Sequence, residues 1–324
     1  MNIKKIGLTA LAGSLVATSA IAGEMSVAGS ASLNMEHTNG GAANSGKTFS
    51  MGNQLTFTGS GELDNGLTVS LSFILDQGDD KGKTTAADDN AGAPFDSHSV
   101  TISSEGLGTL NFAGEGGGNV QSALDTTAAG DIWDAFDDSG ALTPGAAATG
   151  NNSFTYTLPS MVDGLTLKAS YLPTGSATDS ATAWSASYTG VEGLTLSYGA
   201  GDGNSPSTDV DASSLSATYA FGPVTVGYSQ TEYDSAAANS DKETTSMNLS
   251  YTVSDELSIS YGTETIESDA TAAVEDAEFA GVKVSYTAGG MTLTAAMQDA
   301  DNIDGTTTAT EDRERWALGA SFAF

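Results

Sequence analysis

The stretch that most constrains this chain is its end. From Arg313 to Phe324, Trp316, Leu318, Ala320, Phe322 and Phe324 share one parity, and Arg315, Ala317, Gly319, Ser321 and Ala323 share the other. A period of two with unlike faces is the signature of a β-strand. An apolar strand at a chain end is a bare sheet edge unless another strand covers it. Met25–Glu36 repeats the pattern, with Val27, Gly29, Ala31, Leu33 and Met35 on one face and Ser26, Ser30, Ser32, Asn34 and Glu36 on the other. Pairing this first strand with the last would close the sheet on itself.

The chain contains no Cys, which excludes a disulfide scaffold, a thiolate metal site and a cysteine nucleophile. Its formal charge of -31 argues against a nucleic-acid partner, because phosphate binding needs a basic face. Residues 1–22 read as an export signal: Lys4 and Lys5 form the basic start, Ile6–Val16 the short apolar run, and Ala20, Ile21 and Ala22 the small-x-small cleavage site. The mature chain, residues 23–324, is expected to begin at Gly23. It contains no apolar run near the ~20 residues of a membrane helix, so the chain either is exported and soluble or spans a membrane as a β-barrel.

Between the two end strands, seven hairpins can be placed by their turns: Glu62–Gly66, Ser104–Gly108, Pro159–Gly164, Gly190–Gly193, Phe221–Pro223, Ser254–Glu256 and Ala288–Gly290. Gly, Pro, Asn and Asp stand where a tight reversal needs an unusual φ or a fixed bend. With the end strands this predicts sixteen strands. Links between hairpins are longer and acidic, as in Gln77–Asp96, Gly116–Asn151, Thr265–Glu278 and Ala300–Asp312. Short turns at one end and long loops at the other are the asymmetry of an outer-membrane barrel.

Face chemistry separates this barrel from a soluble sandwich. Nine of the ten tyrosines lie on the apolar parity, at two heights. Tyr156, Tyr188, Tyr219, Tyr251 and Tyr286 precede the short turns, while Tyr171, Tyr198, Tyr228 and Tyr261 follow them by about seven residues or slightly fewer, joined by Trp184 and Trp316. Two aromatic belts flanking an apolar band suit a lipid-facing surface, whereas a sandwich core would scatter them in depth. Hairpin starts spaced near thirty residues also suggest a solenoid, but earlier and later hairpins break that period. The opposite face is rich in Ser, Thr, Asn and Gly, too small to fill the lumen of sixteen strands, so water is expected inside.

On these features the chain resembles the trimeric general-diffusion porins of Gram-negative outer membranes, most closely the sixteen-stranded alphaproteobacterial type. The resemblance rests on the leader ending at Ala22, the sixteen alternating segments, the longest internal link placed after the fifth strand, and the barrel-closing signature Trp316, Phe322 and Phe324. It implies that Gly116–Asn151 folds into the lumen as a constriction loop facing basic wall residues. The corresponding acids are Asp125, Asp131, Asp134, Asp137 and Asp138, with Glu115 at the loop's root; Ile132, Trp133 and Phe136 would pin the loop. On the lumen parity stand Lys168, Lys283, Arg313 and Arg315. Acids facing cations would set a transverse field across the eyelet. The resemblance also implies a homotrimer, with which the small or polar Gly29, Ala31 and Asn53 on the apolar parity agree, and a second external loop, Gln77–Asp96, that latches onto a neighbour.

Enzymatic chemistry has little to stand on. His37 and His98 fall near the external ends of different strands with no motif around them, and Gly114–Gly118 lacks the spacing of a nucleotide loop. No cofactor is expected. The acidic loops, including Asp79 and Asp80, Asp88 and Asp89, Asp209–Asp211 and Asp299–Asp304, are candidates for weak Ca2+ binding, although none follows the EF-hand order. The expected function is passive diffusion of small hydrophilic solutes and ions with some cation preference, in contact with the lipid bilayer and lipopolysaccharide. The alternatives are a substrate-selective channel, or a plugged surface barrel whose acidic loops act as an adhesin or structural element.

Overall fold

The computed structural model describes residues 23–40, 46–76, 96–124, 128–137, 140–173, 180–203, 209–270, 275–307 and 312–324. The expected leader, Asp125, Asp138 and the second external loop up to residue 95 lie outside them.

Sixteen antiparallel strands make one closed barrel. The opening strand β1 (Met25–Asn39) is followed by the hairpins β2 (Gly46–Glu62) with β3 (Thr68–Asp76) and β4 (Ser97–Ser104) with β5 (Gly108–Glu115). After the long loop come β6 (Ser153–Thr157) with β7 (Leu165–Leu172), β8 (Ala181–Val191) with β9 (Leu194–Asp202), and β10 (Val210–Phe221) with β11 (Val224–Ser235). The series ends with β12 (Lys242–Thr252) and β13 (Leu257–Ser268), β14 (Ala277–Ala288) and β15 (Met291–Asp301), and the closing β16 (Arg313–Ala323). All seven short turns fall where Gly, Pro, Asn and Asp place them. In the two-residue turn after β8, Gly193 has φ 75°, and a Cβ there would stand 2.3 Å from the Ala220 carbonyl oxygen.

Closure follows from the end strands. β1 pairs with β16 from Ser30 opposite Ala323 to Asn39 opposite Glu314, so neither terminal strand leaves an edge. The terminal residue extends the seam: Gly29 N–H donates to the Phe324 carbonyl at 2.7 Å and Phe324 N–H to the Gly29 carbonyl at 2.9 Å. Gly29 was expected to suit a protein interface. The structure also gives it a local reason, because a Cβ at position 29 would lie 2.4 Å from the Phe324 ring. Trp316, Phe322 and Phe324 share the outer face, and Trp316 stacks obliquely with His37 at 5.9 Å.

The outer wall carries the apolar parity in the open. Leu196, Leu215, Leu249, Val226 and Val282 are exposed there, flanked by exposed Tyr156, Tyr219, Tyr251 and Tyr286 toward the short turns and Tyr171, Tyr198, Tyr261 and Trp184 toward the loops. Among the described residues no helix is long and apolar enough to cross a membrane, and the strands themselves provide the lipid-facing surface.

Beyond the loop-side aromatic belt the outer face turns acidic. Asp202 lies opposite Asp211, Glu232 opposite Glu243, Glu243 opposite Glu267, Glu278 opposite Asp301, and Asp299 opposite Glu314. Like charges directly opposite on neighbouring strands destabilise a sheet. Raising salt from about 10 mM to about 100 mM shortens the screening length from about 30 to about 10 Å. The melting temperature of the detergent-solubilised protein is therefore expected to rise over that range; a flat or falling response would mean that these pairs carry no net repulsion.

The buried core lies inside the barrel, between wall and loop. Ile266, Ala277, Phe279 and Ala300 of the wall, all on the lumen parity, pack with Ile132 and Phe136 of the long loop and with Ile303 from the link before β16. Each large side chain buried here contributes on the order of 2 kcal/mol.

Candidate functional site

The long loop leaves β5 at Glu115, runs along the inner wall and returns to β6 at Ser153. Its backbone is held by wall side chains on four strands. Val120 N–H donates to Ser170 Oγ on β7 at 3.1 Å, Ala128 N–H to Ser229 Oγ on β11 at 2.8 Å, and Ala129 N–H to Ser246 Oγ on β12 at 2.9 Å. On β13 the Glu264 carboxylate accepts both Ile132 N–H and Trp133 N–H, each at 2.9 Å, from a position only 1% exposed. Backbone donors withdrawn from water need such acceptors, and the hydroxyl-rich lumen parity supplies them. Close approach also needs absent side chains: a Cβ on Gly262 would come within 2.4 Å of Ala129, and one on Gly201 within 3.1 Å of Ala147.

Gln121 ties the outgoing and returning limbs together. Its Nε2 donates to Ser214 Oγ at 2.8 Å and its Oε1 accepts Ala147 N–H at 2.9 Å. Earlier on the return, Lys242 Nζ donates to the Thr143 carbonyl at 3.0 Å, and Leu142 N–H donates to the Ile303 carbonyl at 2.7 Å. The middle of the loop forms a single 3-10 turn, Trp133–Phe136, whose Phe136 ring lies 6.1 Å from that of Phe279. Ile132 and Phe136 are thus buried against the wall, while Trp133 packs beside them partly exposed.

Opposite this turn runs a passage of about 670 Å3. Asp131, Asp134 and Asp137 line it from the loop, and Lys283, Arg313 and Arg315 line it from β14 and β16. Glu36 of β1 also faces it and was not expected in the site. Arg315 bridges the barrel seam, its guanidinium donating to Glu36 Oε2 from Nε at 3.0 Å and from a second nitrogen, and to Gln298 Oε1 on β15.

Two expected members stand elsewhere. Glu115 has the lumen parity by simple counting, but the register shifts between His98 and Ser99, so Glu115 lies opposite His98 and outside the passage. His98 shares the lipid-facing parity of Val100 and Ile102, and its Nδ1 is 3.8 Å from Glu115 Oε2. The extra residue is Gly114, where a Cβ would strike the His98 ring; a bulge reverses the alternation on which the count relied. Lys168 does face the lumen, but in a separate cavity of about 200 Å3 under the start of the loop. Asp125 and Asp138 fall outside the described residues. Among those described, no three carboxylate or His groups gather as metal ligands would.

A closed sixteen-stranded barrel with an aromatic-girdled exterior and a wall-anchored loop beside a charged lumen is the architecture of an outer-membrane pore. Residues 7–273 match the family described as Gram-negative porin, and the chain belongs to that family. It is an outer-membrane channel for passive diffusion rather than an enzyme. Solved structures share the fold at low identity. The anion-selective porin from Comamonas acidovorans aligns at 16% identity with a TM-score of 0.67 over 93% of this chain and 99% of that one. A loop-deletion mutant of OmpT, an outer membrane protein of Vibrio cholerae, aligns at 17% identity with a TM-score of 0.66, covering 94% and 100%. A variant of the Rh. blastica porin gives 17% identity and a TM-score of 0.65, covering 93% and 100%. A comparison with curated protein sequences returned no match.

Proposed function

We propose that the chain is a general-diffusion porin for small hydrophilic solutes and ions, weakly cation-preferring, exported by a cleaved leader ending at Ala22 and working as a homotrimer. The observation that carries this reading is the passage between loop and wall. Its lining holds the carboxylates of Glu36, Asp131, Asp134 and Asp137 against the cations of Lys283, Arg313 and Arg315. The lining sets these four acids against three cations, and the separation of the loop acids from the basic wall puts a field across the passage. The balance is slightly negative, which favours cations. Anion selectivity is named for the Comamonas acidovorans porin, so the fold itself does not choose the sign.

Trimer formation is supported by a gap in the aromatic girdle. All ten tyrosines lie from Tyr156 onward, so β1 to β5 contribute none. That sector presents instead exposed Leu33, Phe49 and Met51 and the Phe57–Phe73 stack, with ring centroids 4.8 Å apart. Interfacial tyrosines serve a wall that meets lipid and headgroups, and a sector covered by a second copy does without them. The remaining wall would meet the bilayer and lipopolysaccharide.

The test is single-channel recording in a planar bilayer with reversal potentials under a salt gradient. Openings in steps of three with ohmic, cation-side behaviour are expected. Lys283→Glu should move the reversal potential further to the cation side, and joint replacement of Asp131, Asp134 and Asp137 by Asn should move it toward anions. Unchanged selectivity in both variants would remove this passage as the selectivity filter. Silence of a well-folded barrel would favour a plugged surface protein.

A further inference from the structure

We propose that the lumen holds an oxyanion-binding subsite centred on Lys168, distinct from the acid-lined passage and resting on the open-pore reading above. Lys168 sits on the inner face of β7, one lumen position nearer the short turns than Ser170, whose hydroxyl holds the loop's Val120 N–H. It therefore lies just under the loop on the short-turn side. Ser185 is its direct cross-strand partner on β8, and Thr166 and Ser187 form the next lumen-facing pair below. With Thr155 of β6 they line the cavity with four hydroxyl side chains beside that of Lys168, and Val120 and Leu124 of the loop line it too.

Three features select an anion. Among the described residues no carboxylate lines this cavity, in a chain whose formal charge is -31. Among the described residues the Lys168 side chain has no hydrogen-bond or ion-pair partner, whereas Arg315 is paired and Lys242 is spent on the Thr143 carbonyl. An ammonium with several rotatable hydroxyls offers the convergent donors that a phosphate or carboxylate group accepts. The cation is exposed to lumen water, so binding is weak and exchange fast, as conduction requires. Small anions thus have their own station on the β6–β8 wall, opposite in sign to the loop carboxylates.

Inorganic phosphate is the probe. Added to the purified full-length protein in a planar bilayer in KCl, it should reduce the current saturably. The Lys168→Gln variant should weaken that block by about tenfold or more, the loss of one charged donor, while Lys168→Arg and Lys283→Gln retain it. Binding is read independently by phosphorus-31 line broadening in detergent solution, which needs no open pore. Equal block and broadening in Lys168→Gln, equal loss in Lys283→Gln, or no broadening with the unaltered protein would overturn the subsite. Lys168-dependent broadening from a barrel that passes no current would uphold the subsite and sink the diffusion-pore reading instead.

Discussion

Replacing Glu264 by Ala is expected to leave the barrel assembled but to release the middle of the constriction loop. The carboxylate is 1% exposed and accepts Ile132 N–H and Trp133 N–H, both at 2.9 Å. Hydrogen bonds to a charged group are worth about 1.5–3 kcal/mol each, and truncation would orphan one buried and one partly buried donor. Allowing for water entering the vacated space, about 3 kcal/mol of anchoring is lost. The ladder of β13 with β12 and β14 is backbone-made and does not depend on this side chain. Single-channel conductance and open-channel noise should both rise, and proteoliposomes should admit larger sugars. Glu264→Gln, with one amide oxygen to offer two donors, should fall between. Unchanged conductance and size exclusion in a folded Glu264→Ala barrel would show that the hydroxyl anchors and the Phe136 cluster hold the loop alone.

Glu264 also shows where sequence reasoning stops. Strand count, closure and the lipid-facing parity were legible because each is a local alternation read in one dimension: Tyr261 points outward, so Gly262, Glu264 and Ile266 point inward. What the inward face meets is a matter of three dimensions. Ser170, Ser229 and Ser246 read as a wetted wall and turn out to be acceptors for the loop backbone. The available signal was the exception to polarity: Ile266 and Phe279 are large apolar residues on the lumen parity, which water does not reward, so something dry had to cover them. Ile132, Trp133 and Phe136 were legible as that partner. Ile303, from a different link, was not.

The charged site was legible in part. Lys283, Arg313 and Arg315 reach the passage by counting parity along strands that run without interruption. The same count fails for Glu115, because one extra residue at Gly114 reverses every position after it. Lys168 has the right face but the wrong sector: parity fixes inside against outside and says nothing of position around the barrel. Glu36 was visible as an inward residue of β1, yet its membership in the site needed the closure of β1 on β16, which brings Arg315 to it.

A side chain placed at Gly29 is expected to impair barrel closure, and more severely with Phe324 present than without it. The terminal ring lies over Gly29 so closely that a Cβ would stand 2.4 Å from it, while the two residues exchange backbone hydrogen bonds of 2.7 and 2.9 Å. Gly29→Leu must therefore displace the ring, break the last pair of seam bonds, or both. Overpacking of this kind costs about 1–3 kcal/mol. Phe324→Ala alone loses ring packing but keeps the backbone pair. If the clash is the cause, Gly29→Leu should cost far less in the Phe324→Ala background, a non-additive coupling expected only of residues in contact. Refolding yield into lipid vesicles and the urea midpoint of the heat-modifiable band would measure the cycle. Equal costs in both backgrounds would detach Gly29 from the terminal residue and return it to the role expected from its sequence, a small residue at the face where copies of the barrel meet.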